Sequence, residues 1–240
     1  MVKPVSKLMI CCLALLLASI AVQAAETTLN VYQQLFPNQD GIGKVYMGRE
    51  ISHVMGHQGA EWLEREEPRR EERTDPLIER LPVRPNSAVA DIGSGTGLFS
   101  FAIAKRVPAG KVLAVDIQPE MLPFIEEKKQ GNRFTNVEPV LGTITDPNLP
   151  KNSVDLIFIV DAYHEFSHSR ETGEAMFAAL KPGSKIVLIE YRAEDAHVPI
   201  KRLHKMSEAQ AKKEMAALGL RWVETGAFLP QQHFLVFAKP

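Results

Sequence analysis

Nine residues, Val89-Ala90-Asp91-Ile92-Gly93-Ser94-Gly95-Thr96-Gly97, restrict the possible folds more than any other part of this chain. A short apolar strand pattern ends on an acid, three glycines follow at alternate positions, and a helical pattern starts at Leu98. Glycines at such a junction let the backbone turn sharply and approach a ligand beyond the carboxyl end of a strand. The spacing is G-x-G-x-G, not the G-x-G-x-x-G of a dinucleotide site, and a carboxylate precedes the first glycine. That carboxylate repels a phosphate and suits a cationic amino group. A second strand ends in Val115-Asp116, where another carboxylate can take both hydroxyls of a ribose. The pocket these residues predict takes a nucleoside with a positively charged amino-acid tail and no phosphate.

The rest of the chain repeats the strand–helix alternation. Strands are expected over 87–92, 111–116, 137–141, 154–160 and 185–190, with helices over 98–106, 119–129 and 170–180 between them. The run VDLIFIV is apolar throughout, as a central strand covered on both faces requires. Lys181-Pro182-Gly183 is a turn signal. Ser207 to Gln210 fits a capping box, and Gly219 fits the stop of the last helix. Strands over 221–225 and 233–238 then follow without an intervening helix and predict an antiparallel hairpin. The fold class is therefore α/β: a doubly wound, Rossmann-like sheet of seven strands, mostly parallel, ending in that hairpin. Residues 49–65 read as a helix, so a helical cap over 25–76 is expected before the main domain over 77–240. The charge run 64–75 reads as a solvated linker.

The first 24 residues read as a secretory signal peptide: Lys3 and Lys7, an apolar stretch over 8–22, and Val22-Gln23-Ala24 as a cleavage site. The expected mature chain is exported, to a periplasm, with no membrane segment left after cleavage. Losing the two lysines takes the formal net charge from −1 to −3, which argues against a nucleic-acid partner. Both cysteines, Cys11 and Cys12, leave with the signal. Disulfides, thiolate metal sites and cysteine nucleophiles are excluded from the mature chain together.

With its glycine loop and residues 113–116, the chain resembles the class I S-adenosylmethionine-dependent methyltransferases. The resemblance runs from about residue 82 to 239 and includes LPKNSVDLIFIVDAYHEF and LKPGSKIVLIEY, at the family's fourth and fifth strands. It implies S-adenosyl-L-methionine as cofactor, held by Asp91, Gly93, Ser94, Gly95 and Gly97 around its methionine portion. Asp116 would hold the ribose and Ile117 would pack beside the adenine. Asp161 would lie beside the sulfonium and the substrate. The family often has Gly-Asp after the third strand; here Gly142-Thr143 stands in its place and the next acid is Asp146, so the adenine contact stays open, with Thr143 counted among the cofactor-site candidates. The segment GREISHVMGHQGAEWLER is similar to one in bacterial methyltransferase-like proteins.

The expected function is methyl transfer to a small-molecule acceptor. His164, and after it Tyr163, are the candidates to position or deprotonate that acceptor. Two other classes remain open. A periplasmic nucleoside-binding module could keep the fold without catalysis. His164-Glu165-x-x-His168 also matches a zinc-hydrolase motif, but it follows the fourth strand by only three residues, where a regular helix has no room to form. No metal site is assigned. Arg49, His53, His57 and Glu61 recur every four residues and would share one helix face, solvated, closing over the pocket, or holding a metal through His53, His57 and Glu61.

Overall fold

The computed structural model describes residues 31–60 and 74–240. The expected signal segment, the charge run up to residue 73 and Glu61 lie outside the described residues. The described chain opens with a small antiparallel sheet: β1 (Tyr32–Gln34), β2 (Gly41–Tyr46) and β3 (Arg49–Ser52). This corrects the expected helix over 49–65 at residues 49–59, where β3 and the stretch after it stand instead; its remainder from residue 61 lies outside the described residues. Met47 and Gly48 both have positive φ, 49° and 96°, so a two-residue turn reverses the chain and pairs Tyr46 with Arg49. After β3 the only regular piece up to residue 59 is a 3-10 turn at His57–Gly59.

Helix α1 (Thr74–Arg80) leads into the main sheet. Its strands are β4 (Ala88–Ile92), β5 (Lys111–Asp116), β6 (Val137–Leu141), β7 (Val154–Val160), β8 (Leu180–Tyr191), β9 (Arg221–Gly226) and β10 (Gln232–Ala238). Their order is β6-β5-β4-β7-β8-β10-β9. The first five are parallel, and β10 runs antiparallel between β8 and β9. The expected hairpin is therefore present and closes the sheet on one side. The turn signal at Lys181-Pro182-Gly183 does not precede the fifth strand but lies inside β8 as an irregularity, where the partners of Val154 and Leu156 are Leu180 and Lys185.

Strand periodicity sorts the core onto two faces. Val89, Val112, Ala114, Leu156 and Phe158 pack with α1, α2 (Leu98–Ala104) and α3 (Leu122–Gly131), through Leu77, Phe101, Ile103 and Ile125. Ala90, Leu113, Val115, Ile157 and Ile159 pack with α4 (Ser169–Ala179) and α5 (Glu208–Ala217), through Met176, Ala211 and Met215. These helices have 7 to 11 residues, too short to persist alone in water. Burial holds them, at about 1.5–3 kcal/mol for each large apolar side chain. Helix α5 has the start and stop expected: Ser207 Oγ accepts from Gln210 N at 3.1 Å, and Gly219 has φ 84°. Among the described residues no helix is long and apolar enough to cross a membrane.

The direction of winding reverses between β4 and β7, and a doubly wound sheet opens a crevice at that point, beyond the carboxyl ends of the strands.

Candidate active site

The crevice is a cavity of about 690 Å³. Its floor is the glycine loop. Gly93 N and Ser94 N donate to Val115 O at 2.9 and 3.0 Å, which ties the loop to the end of β5. Gly93, Gly95 and Gly97 have φ of 77°, 52° and 84°, values that favour glycine. A Cβ on Gly93 would meet Ala162 Cβ at 2.8 Å across the crevice, and one on Gly97 would meet the Phe101 ring at 2.9 Å. These two glycines thus serve packing as well as any ligand.

Asp91 and Asp116 end adjacent strands and both line the cavity. Asp91 is 2% exposed, and its Oδ2 accepts from Ser100 Oγ at 2.6 Å. Burial pushes its pKa up to about 7, with the nearby Asp116 charge adding to the rise. Asp116 accepts from Gly95 N through Oδ2 and from Gln118 N through Oδ1, both at 2.9 Å. Desolvation raises its pKa too, against the pull of those amides. The Ile117 amide also supports the charged carboxylate, and the four acceptor positions of a carboxylate leave capacity for another donor.

The remaining sequence candidates divide. Ser94, Ile117, Thr143, Asp161 and His164 line the same cavity, while Gly97 and Tyr163 do not. Gly97 precedes α2, which begins at Leu98. Tyr163 is fully buried, with Arg49 over its ring, so the chain gives it no face toward an acceptor. Thr143 Oγ1 accepts from Asp146 N at 2.9 Å and closes its own loop. Asp161 has φ 48°, and its Oδ2 accepts from Gln232 Nε2. Gln232 carries no sequence signal for this, because it arrives on β10 from 71 positions away.

Arg49, His53 and His57 do not share a helix face. Arg49 turns inward to Glu214, whose carboxylate takes its Nε at 2.8 Å and a terminal nitrogen at 3.0 Å. His53 lines the cavity, and His57 N donates to Gln118 Oε1 at 2.7 Å. Gln118 in turn donates to Met55 O, so the stretch after β3 lies over the Asp116 end of the crevice. His168 also departs from its motif: it bonds Ser167 Oγ, stacks edge-on with Tyr32 and does not line the cavity. His164 finds other neighbours. Its Nδ1 meets Glu190 Oε2 at 2.6 Å, and its Nε2 faces His204 Nδ1 at 3.2 Å. Glu190 lies near the end of β8 and His204 in the turn at Arg202–His204.

A family model described as a methyltransferase domain matches residues 84–232. The chain belongs to the methyltransferase-domain family. Its sheet is the seven-stranded, Rossmann-like sheet of class I methyltransferases, and a solved SAM-dependent methyltransferase from Aquifex aeolicus shares the fold. Its TM-score is 0.73 at 21% identity, covering 78% of this chain and all of that one. An uncharacterized methyltransferase-like protein of Schizosaccharomyces pombe is 27% identical over 151 residues, 63% of this chain and 56% of that protein. The ubiquinone/menaquinone biosynthesis C-methyltransferase UbiE of Hydrogenovibrio crunogenus is 31% identical over 122 residues, 48% of this chain and 46% of that protein. The chain spans about half the length of these two curated relatives.

Proposed function

We propose that this methyltransferase domain binds S-adenosyl-L-methionine in the crevice and transfers its methyl group to a small-molecule acceptor. The observation that carries the reading is the pair of buried carboxylates, Asp91 and Asp116, flanking one glycine loop in one cavity. The loop also holds two buried hydroxyl oxygens, Ser94 Oγ and Thr96 Oγ1, without a hydrogen-bond partner among the described residues. Buried polar atoms are normally satisfied, so a polar ligand fits this floor. Apolar side chains supply part of the wall, Phe99, Ile117 and Ile144 among them.

The bound cofactor supplies a methyl carbon on a sulfonium, already a good leaving centre. What the chain itself must do is hold acceptor and methyl in line and exclude water, the proximity contribution. Asp91 offers a carboxylate to a cationic amino group, and a cation beside it draws its pKa back down. Asp116 keeps acceptor capacity for a ribose hydroxyl. The stretch over 53–55 and the turn holding His164 and Glu165 close the cavity on the other side. The proposed acceptor is a small molecule. Export to a periplasm remains part of the proposal.

Gly95→Val tests the loop. Its φ of 52° and its N–H to Asp116 place Gly95 at the centre of the floor. The folded variant should keep a cooperative melting transition yet lose the upward shift that S-adenosylhomocysteine gives the parent protein. A full ligand shift in the folded variant contradicts the assignment.

A further inference from the structure

Two short turns meet on the β7–β8 side of the cavity. One, Tyr163–Glu165, follows β7; the other, Arg202–His204, follows β8. They bring together His164 Nε2, His204 Nδ1 and Glu165 Oε1. The two nitrogens are 3.2 Å apart, and the carboxylate oxygen is 3.8 Å from the first and 3.6 Å from the second. The point equidistant from all three lies about 2.1 Å from each. That is the length of a bond from zinc to an imidazole nitrogen or a carboxylate oxygen, about 2.0–2.2 Å.

The outer partners are those a metal site needs. Glu190, fully buried, takes His164 Nδ1–H through Oε2 and the His164 backbone N–H through Oε1. This fixes the ring and leaves Nε2 with its lone pair toward the cluster, the carboxylate–histidine arrangement of metal centres. Glu165 is oriented by Met55 N, which donates to Oε2 at 3.2 Å and leaves Oε1 to face the imidazoles. At 3.6 and 3.8 Å that oxygen is beyond hydrogen-bond reach of either ring, but well placed to share an ion with both. All three side chains line the cavity.

We propose that His164, Glu165 and His204 form a three-ligand site for a divalent first-row transition ion, with zinc as the first choice, and with its remaining positions open to the cavity. Two imidazoles and one carboxylate, without thiolate, suit such an ion. It would hold an acceptor through an oxygen donor and ease loss of a hydroxyl proton. That use rests on the methyl-transfer reading; binding of the ion does not. The sequence motif that suggested zinc pairs His164 with the wrong partner: the second histidine is His204, 40 positions away, and not His168.

The test is equilibrium dialysis of chelator-stripped protein against Zn(II), with Co(II) as a visible-absorption probe, beside titration with S-adenosylhomocysteine. The parent protein should take up one equivalent and give the ligand-field bands of low-symmetry Co(II). Glu165→Gln and His204→Ala should each weaken uptake by at least about 100-fold, and Glu190→Gln by about 10–100-fold. His168→Ala should bind like the parent. Glu165→Gln keeps the acceptor for Met55 N, so it carries the test if His204→Ala does not fold. Uptake well below one equivalent by the parent, full uptake by folded Glu165→Gln, or equal loss in His168→Ala overturns the site. Nucleoside binding without metal defeats this proposal alone; metal binding without nucleoside binding defeats the methyl-transfer reading alone.

Discussion

At the scale of single residues, burial makes the Asp91 carboxylate costly to ionise. Its pKa in the folded chain is about 7, against 3.8 for a free side chain. Between those values the unfolded chain has lost the proton and the folded chain still holds it. Stability from this group is therefore fully present below about pH 4, falls as pH rises, and stays low above about pH 7. Asp91→Asn removes the dependence. The variant should melt higher than the parent at pH 7.5, by up to about 4 kcal/mol in stability, with the difference vanishing near pH 4. The same substitution should weaken binding of S-adenosylmethionine, whose ammonium loses its counter-charge. Thermal melts across pH, with and without ligand, check both halves. A variant no more stable than the parent at pH 7.5 contradicts the account of Asp91.

At the scale of elements, a buried ion pair helps fasten the N-terminal sheet to the main domain, beside the hydrogen bonds of Tyr32 with Glu171 and Arg170. Arg49 on β3 and Glu214 on α5 have side chains 9% and 0% exposed, and Arg49 also donates to His164 O at 3.0 Å. Arg49→Met leaves the Glu214 carboxylate buried without its partner and should cost about 3–5 kcal/mol in a denaturant melt. Arg49→Met with Glu214→Leu should recover most of that loss, because no charge is left behind. Single and double variants of equal stability would show that the pair does not fasten the sheet. This pair also explains what was legible in the sequence. The strands of the main sheet and the capped helix α5 could be read locally, because strand burial and capping leave local patterns. The stretch over 49–52 could not. Its apolar spacing fits a helix, but its conformation is set by the Met47-Gly48 turn and by a carboxylate 165 positions away. The same physics divides the site. Asp91, the glycines and Asp116 sit at strand ends and announce themselves, whereas Gln232, Glu190 and His204 acquire their places only through the sheet order and the loops after β7 and β8.

At the scale of the whole molecule, one sheet reversal places two carboxylates, a glycine loop and a histidine cluster in one cavity, and the proposed function follows from that convergence. The proposed export belongs to this scale as well. The mature protein should begin at or next to Ala25, read by mass spectrometry of the periplasmic fraction, and a full-length chain confined to cytoplasm would contradict it. The central claim is that the crevice is a cofactor site whose ribose hydroxyls meet Asp116, and calorimetric titration with S-adenosylhomocysteine tests it most directly. The parent protein should bind with a 1:1 stoichiometry, and Asp116→Ala, folded and with an unchanged strand β5, should bind about 1.5–3 kcal/mol more weakly, roughly 10–150-fold in Kd. No binding by the parent protein, or equal binding by Asp116→Ala, would contradict the claim.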